Sequence, residues 1–208
     1  RTINWKASAR RHELMVNVYQ DERSQQIYNV IDKGRVMQQA FRGMTLLDYA
    51  INASLVLSYV AMRKEDKAGL VTFDEHFDTF VPASRQPGYM QTLLENLYSQ
   101  QTTFGETDFS ALCVHLNKHV SKRSLLVLYT NFSSIGSMNR QLAYLKQLNH
   151  RHRLLVVFFE DADLKEYIAQ PAKDTESYYR HVIAEKFAYE KRLIVSTLKQ
   201  HGIYSLLT

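Results

Sequence analysis

Asp32 directly follows the strand-like residues 27–31, at a place where a metal-binding motif of type D-x-S-x-S would begin. Gly34 and Val36 occupy the two positions at which that motif carries hydroxyl groups. Mg²⁺ takes about six hard oxygen ligands and is held mainly by carboxylates, substrate groups and water. The segment therefore keeps the scaffold of a binding site but lacks most of its metal chemistry, which favours a binding module over an enzyme.

Two cationic residues, Lys33 and Arg35, alternate with those positions. At about 4 Å and an effective dielectric constant of about 20, each of them opposes a bound cation by roughly 4 kcal/mol per unit charge. We therefore expect the site to be free of metal. Asp32 is then expected to cap its turn or to pair with Lys33, Arg35 or another base.

Two later loops carry polar residues that could lie beside Asp32 in the same binding site. The loop of residues 105–108 enters a predicted helix and contains Thr107, and Asn131 follows a continuous apolar strand. Backbone N–H groups at the start of a helix can bind an anion. Because Glu106 and Asp108 would repel a phosphate, nucleotide binding at this loop is disfavoured.

Hydrophobic periodicity predicts alternating strands and helices. The predicted strands are residues 12–21, 25–31, 68–73, 77–81, 124–130, 154–159 and 204–207, and the predicted helices are residues 45–64, 89–100, 109–122, 138–149 and 178–200. Residues 68–73 and 77–81 are expected to form a hairpin, and Thr45 a capping box with Asp48. The pattern predicts an α/β fold, a three-layer, doubly wound and mostly parallel sheet with one antiparallel edge strand. Such sheets bind ligands outside the carboxyl ends of their strands.

Composition limits the class of protein. The chain has 208 residues, of which 45% are hydrophobic, so it fits one domain or a domain with a small extension. Its single cysteine, Cys113, excludes an intrachain disulfide and favours a reducing compartment. The net charge of +5 fits a solvated basic surface, or contact with anionic lipid heads or an acidic partner. No apolar run reaches the ~20 residues of a membrane span, and any anchor is expected upstream of Arg1.

Other chemical motifs are weak. His115 and His119 stand four residues apart on a predicted helix but have no evident third ligand, so we interpret them as surface histidines. The cluster that begins at Trp5 and Lys6 combines aromatic and basic residues, which can bind nucleic acid. More often, such a tryptophan packs on its own domain and leaves the charges at the surface. The chain has neither a phosphate-binding glycine loop nor a nucleophile elbow.

Residues 1–10, with the sequence R-T-I-N-W-K-A-S-A-R, resemble the R-x-I-D-W-K-A-x-A-R signature of the bacterial family called domain of unknown function 58. Residues 14–23, 43–53 and 105–108 fit the same family, and Asn4 departs from its usual aspartate. The order of the elements also resembles a von Willebrand factor A-type domain. The resemblance implies membrane helices upstream of this region and a gene beside one for a MoxR-type AAA+ ATPase.

The resemblance also implies where a metal would bind. In von Willebrand factor A-type domains, a metal-ion-dependent adhesion site takes an aspartate and two serines from the first loop, a threonine from the second and an aspartate from the third. Here Asp32 and Thr107 match, whereas Gly34, Val36 and Asn131 do not. The site is therefore predicted to be degenerate, with Asp32 and Thr107 as its remaining metal candidates.

From these observations we predict a family-signature segment and strand over residues 1–24 and a von Willebrand factor A-like domain over residues 25–208. The expected function is that of a non-enzymatic interaction module in a membrane-attached bacterial protein, at the cytoplasmic face of the inner membrane. It would act with a MoxR-type ATPase in protein maturation or assembly, without a cofactor or nucleic acid. The predicted partner-binding residues are Asp32, Lys33, Arg35, Thr107 and Asn131. The alternative is a hydrolytic or other enzyme that uses the cleft around Asp32 and Asp108.

Overall fold

The computed structural model describes residues 24–159, 162–170 and 174–208, together with residues 2–3 and 16–17. Its strands are β1 (Thr2–Ile3), β2 (Val16–Asn17), β3 (Gln26–Asp32), β4 (Ala40–Phe41), β5 (Met44–Thr45), β6 (Lys67–Phe73), β7 (Phe77–Ser84), β8 (Leu125–Tyr129), β9 (Arg153–Phe158) and β10 (Tyr204–Leu207). Its α-helices are α1 (Leu46–Arg63), α2 (Tyr89–Tyr98), α3 (Phe109–His119), α4 (Ile135–Arg151), α5 (Ala162–Ala169) and α6 (Thr175–Gln200). One turn of 3₁₀ helix spans Arg35–Met37.

The central sheet has six strands in the order β10-β9-β8-β3-β6-β7. All neighbouring strands pair in parallel except β6 and β7, which form the predicted antiparallel hairpin at one edge. Strand β3 lies at the centre, where Asn29 pairs with Leu70 on one side and with Val127 on the other. Its neighbour β8 and the next strand β9 are almost entirely apolar, which is typical of a parallel sheet that is buried on both faces.

Two apolar clusters cover the two faces of the sheet. Side chains alternate along a strand, so Tyr28 and Val30 belong to one cluster, while Ile27 and Ile31 belong to the other. The first cluster contains buried residues of α3, α4 and α6, and the second contains buried residues of α1 and α2. The fold is therefore the predicted three-layer α/β fold with one antiparallel edge strand.

Helix starts follow local capping chemistry. Thr45 and Asp48 form the predicted capping box, in which the Thr45 hydroxyl accepts from the Asp48 N–H at 3.1 Å. Helix α4 begins at Ile135, three residues before the predicted start at position 138, because Ser134 caps it reciprocally with Ser137. Residues 4–15 and 18–23, which carry most of the predicted family signature and of the first predicted strand, lie outside the described residues.

Candidate functional site

Asp32 ends the central strand β3 at the carboxyl edge of the sheet and is fully buried. Its Oδ2 accepts a hydrogen bond from the Thr130 hydroxyl at 2.6 Å. Its Oδ1 accepts from the Gly34 N–H at 2.8 Å and from the Thr107 hydroxyl at 2.9 Å. The carboxylate is therefore the point at which the three predicted loops meet.

The negative charge of Asp32 is stabilised by hydrogen-bond donors rather than by a basic side chain of the described residues. Burial raises the pKa of this carboxyl from 3.8 to about 6. The hydrogen bonds from Thr130, Gly34 and Thr107 oppose that rise, and the charge of Asp74 adds to it. Of the two arrangements expected for Asp32, capping of its turn is present through the Gly34 N–H, and among the described residues no salt bridge to Asp32 forms.

The lack of a side chain at position 34 is a steric requirement of this site. A Cβ atom added to Gly34 would lie 1.9 Å from the Thr107 Oγ1 and 3.0 Å from the Asp32 Oδ1. The Thr107 hydroxyl thus fills the space in which a serine of the metal motif would begin. The Arg35 N–H also donates to the Gly105 carbonyl at 2.8 Å, which fixes the two loops against each other.

Lys33 points away from Asp32 and is only 3% exposed. Its ammonium group donates to the Asp78 carboxylate at 2.6 Å and to the Gln101 carbonyl at 3.1 Å. A hydrogen bond from Lys33 is the main cause that lowers the pKa of Asp78. Lys33 therefore ties β7 and the loop after α2 to the end of β3, and it does not reach the surface at which a partner would bind.

Asn131 is fixed by a residue that sequence analysis did not identify. Its Oδ1 accepts from the Phe132 N–H at 3.0 Å and from the ammonium group of Lys191 on helix α6. The same ammonium donates to the Phe132 carbonyl at 3.0 Å. Lys191 stands 60 positions after Asn131, and its sequence surroundings are those of any lysine on a helix, so no local signal identifies it.

Two adjoining cavities lie above these loops. One, of about 480 Å³, is lined by Asp32, Thr107, Asn131 and Arg140 among others. The second, of about 460 Å³, extends toward α6 and shares Arg35 and Asn131 with the first. We call the two together the top groove. Arg35 and Arg140 are exposed at its sides, and neither has an ion-pair partner in the described part of the chain.

The residues at the floor of the top groove do not fit the divalent cation that the resemblance to von Willebrand factor A-type domains implies. Both oxygens of Asp32 and the hydroxyl of Thr107 are already engaged with each other or with neighbouring donors. The ammonium of Lys191 contacts Asn131 at the last predicted ligand position, and a divalent cation needs about six oxygen ligands. Across the described residues, no group of three or more histidine, cysteine or acidic side chains is arranged to hold a metal.

Asp108 and Asp32, the two carboxylates of the alternative enzymatic interpretation, are each engaged in hydrogen bonds. Asp108 caps helix α3, and its Oδ1 accepts from the N–H groups of Ser110 at 2.7 Å and Ala111 at 3.0 Å. The Asp32 carboxylate is fully buried and accepts hydrogen bonds from the Thr107 and Thr130 hydroxyls. Both carboxylates are therefore used to hold the backbone and the loops in place.

The remaining candidates also have structural contacts. His115 stacks on Phe77 with ring centroids 4.5 Å apart, and His119 stacks on the same ring at 5.9 Å. These contacts agree with surface histidines packed on an aromatic strand. Cys113 is buried, and burial raises the pKa of its thiol to about 12, which disfavours the reactive thiolate. The cluster around Trp5 lies outside the described residues.

Comparisons with solved structures relate the chain to known folds. A mutant of the PilB minor pilin from Streptococcus sanguinis is 9% identical, with a TM-score of 0.53 over 93% of this chain and 59% of that one. An aerotolerance-related membrane protein from Bacteroides fragilis is 15% identical, with a TM-score of 0.49 over 65% of this chain and 67% of that one. The SpRpn10 VWA domain is 13% identical, with a TM-score of 0.48 over 74% of this chain and 85% of that one. At these identities the likeness concerns the fold alone.

The fold is von Willebrand factor A-like, as the order of the sequence elements predicted. Within the described residues, every helix is too short or too polar to span a membrane. No curated protein matches the chain. A family model matches residues 1–167, which is most of the sequence, and the chain thus belongs to the family described as protein of unknown function DUF58.

Proposed function

We propose that the protein is a non-enzymatic interaction module that binds an acidic segment of a partner protein in the top groove. The observation that carries this proposal is the exposure of Arg35 and Arg140 beside a groove whose central carboxylate is already satisfied. Exposed guanidinium groups without partners suit planar recognition of carboxylates. A metal bridge between protein and partner is then unnecessary.

The geometry divides the predicted partner-binding residues by role. Asp32 and Thr107 bind each other and form the floor of the groove, and Asn131 is oriented by Lys191. Arg35 is the exposed member of the predicted set. We therefore assign the direct contact with a partner to Arg35 and add Arg140 to it. Lys33 is left out of the contact because its charge is buried against Asp78.

The proposed setting is a membrane-attached bacterial protein with this domain at the cytoplasmic face of the inner membrane. The proposed partner is a MoxR-type AAA+ ATPase, and the proposed process is the maturation or assembly of other proteins. Support for this setting, partner and process comes from the sequence resemblance to the DUF58 family. Membership in that family and the von Willebrand factor A-like fold suggest an interaction domain rather than a catalyst.

The proposal is tested by measuring the affinity of the purified domain for a purified MoxR-type ATPase from the same organism. Reversal of both charges, Arg35→Glu with Arg140→Glu, is expected to weaken binding by about tenfold or more and to reduce its salt dependence. The control is Lys146→Glu with Lys186→Glu, which makes the same charge change at two exposed helix positions outside the top groove. Equal affinity of the Arg35/Arg140 variant and the wild type would contradict the proposed surface.

A further inference from the structure

A second cleft lies at the opposite edge of the sheet, where the parallel strands begin. It has a volume of about 870 Å³. Its lining combines basic and polar side chains from the segments that lead into β3, β6, β8 and β9: Ser24, Gln25, Gln26, Lys67, Lys122, Arg123, Ser124, Leu125 and Arg153. We call it the base cleft.

Positive charge is concentrated around the base cleft. The segments 64–67, 121–123 and 149–153, with Arg85, contain seven lysines and arginines against two acidic residues. Their net formal charge is therefore +5, which equals the net charge of the whole chain. These segments therefore form a basic surface around the cleft.

The two acidic residues at this edge do not neutralise the cleft. Glu65 pairs with Arg85 at 3.4 Å, and both side chains are well exposed. The Oδ1 of Asp66 accepts the backbone N–H of Gln25 at 2.8 Å. As far as the described residues extend, Lys67, Lys122 and Arg123 have no carboxylate within ion-pair distance, although they line the same cavity.

Helix dipoles account for only part of this charge. Helices α1, α3, α4 and α6 all end at this edge, and their last turns carry basic residues such as Arg63 and Arg151, which the negative ends of the helices favour. Lys67, Lys122 and Arg123 follow the helices, at the starts of strands, and their side chains line an open cavity. The helix dipoles therefore do not explain the positions of Lys67, Lys122 and Arg123, whereas a bound anionic ligand would.

Neighbouring contacts show that the charges lie close together and are partly preorganised. Burial, and then the charges of Arg151 and Arg123, lower the pKa of His152, which is fully buried beside the cleft. The guanidinium of Arg153 lies 4.4 Å from the ring centroid of Tyr204 and donates to its hydroxyl at 2.5 Å. This stacking fixes Arg153 at the edge of the cleft without neutralising it.

We infer that the base cleft binds a phosphate group. Arg123 and Arg153 supply the fork of N–H donors that matches phosphate oxygens, and Lys67 and Lys122 supply point charges. The lining named above contains no aromatic ring on which a nucleobase would stack, which favours a phosphate headgroup or free phosphate over a nucleic acid. The site is separate from the top groove, so it stands whether or not the proposed function is correct.

Two binding measurements on the full 208-residue chain test the inference and separate the sources of the phosphate. Calorimetric titration with inorganic phosphate detects a free anion, and co-sedimentation with phosphatidylglycerol vesicles, compared with phosphatidylcholine vesicles, detects an anionic lipid surface. Binding in either experiment is expected to fall about tenfold or more in the variant Lys122→Glu with Arg123→Glu. The control Lys146→Glu with Lys186→Glu, and the top-groove variant Arg35→Glu with Arg140→Glu, are expected to bind like the wild type.

The variant residues Lys122 and Arg123 are exposed, so the substitutions leave the core intact, and a melting temperature close to that of the wild type verifies folding. The inference would be overturned if the wild type bound neither inorganic phosphate nor phosphatidylglycerol vesicles. It would also be overturned if binding survived the charge reversal at Lys122 and Arg123. Preferential binding of a single-stranded oligonucleotide over both ligands would also overturn it, because a nucleic-acid surface is a different site.

Discussion

Replacement of Asp32 by asparagine tests whether a buried, metal-free carboxylate organises the three loops. The carboxyl has a pKa of about 6 in the folded protein, compared with an ordinary value of 3.8. A folded-state pKa above the unfolded one means that the folded protein binds the proton more tightly. The stabilisation from Asp32 is therefore complete below about pH 3.8 and is lost as the pH rises through about 6.

The magnitude follows from the size of the shift. A rise of about two pKa units, at about 1.4 kcal/mol per unit, corresponds to roughly 3 kcal/mol of unfolding free energy lost between pH 3.5 and pH 7. An asparagine at position 32 does not titrate and retains an oxygen that accepts from the Gly34 N–H and the Thr107 hydroxyl. The side-chain NH₂ of this asparagine faces Thr130, whose hydroxyl rotates to accept a hydrogen bond from it.

The assay is urea denaturation of the wild type and of Asp32→Asn at several pH values and constant ionic strength. The unfolding free energy of the wild type minus that of the variant is expected to fall by roughly 3 kcal/mol from pH 3.5 to pH 7. The titration of His152 and of the other groups is common to both proteins and cancels in this difference. A difference that does not change with pH would refute the argument, and so would Mg²⁺ that stabilises the wild type but not the variant.

Three further predictions concern the same region and the core behind it. Gly34→Ser is expected to lower the unfolding free energy by about 1–3 kcal/mol in urea titrations because its Cβ meets the Thr107 hydroxyl; adding Thr107→Ala should recover part of this loss, and an additive effect would contradict the steric cause. Lys33→Met is expected to raise the pKa of Asp78 toward its ordinary value, as followed by carboxyl NMR, since a hydrogen bond from Lys33 is the main cause of its lowering; an unchanged titration would show that the ion pair is unimportant. Cys113 is expected to react with a thiol reagent only after denaturation, because it is buried and its pKa is raised to about 12; rapid labelling of the native protein would contradict its burial.

The elements that sequence analysis predicted best are those whose burial leaves a strong pattern. Strands β8 and β9 are almost continuous apolar runs in the sequence, and the structure places each of them, and also β6, within one or two residues of the prediction. The hairpin of β4 and β5 and helix α5 were missed. Strands of two residues show no periodicity, and the eight residues of α5 are too few for a helical pattern to stand out.

The candidate site divides in the same way. The convergence of Asp32, Thr107 and Asn131 was expected from the resemblance to von Willebrand factor A-type domains, in which the three loops form one site, and the structure joins Asp32 directly to Thr107. The direction of Lys33 was not predictable, because it depends on the position of Asp78 in the neighbouring hairpin. The contact of Lys191 with Asn131 depends on how the last helix lies across the sheet, which no short sequence pattern encodes.

The contact between Asn131 and Lys191 joins helix α6 to a loop at the carboxyl edge of the sheet. The helix has 26 residues and thus a length of roughly 39 Å. Of its buried residues, Ile194 and Leu198 anchor the last turns, whereas Tyr178 and Tyr179 near its start are exposed. Lys191 therefore brings a charge from this anchored part of the helix to the loop that carries Asn131. The family model ends at residue 167, so Lys191 supplies this contact from a part of the chain beyond the matched region.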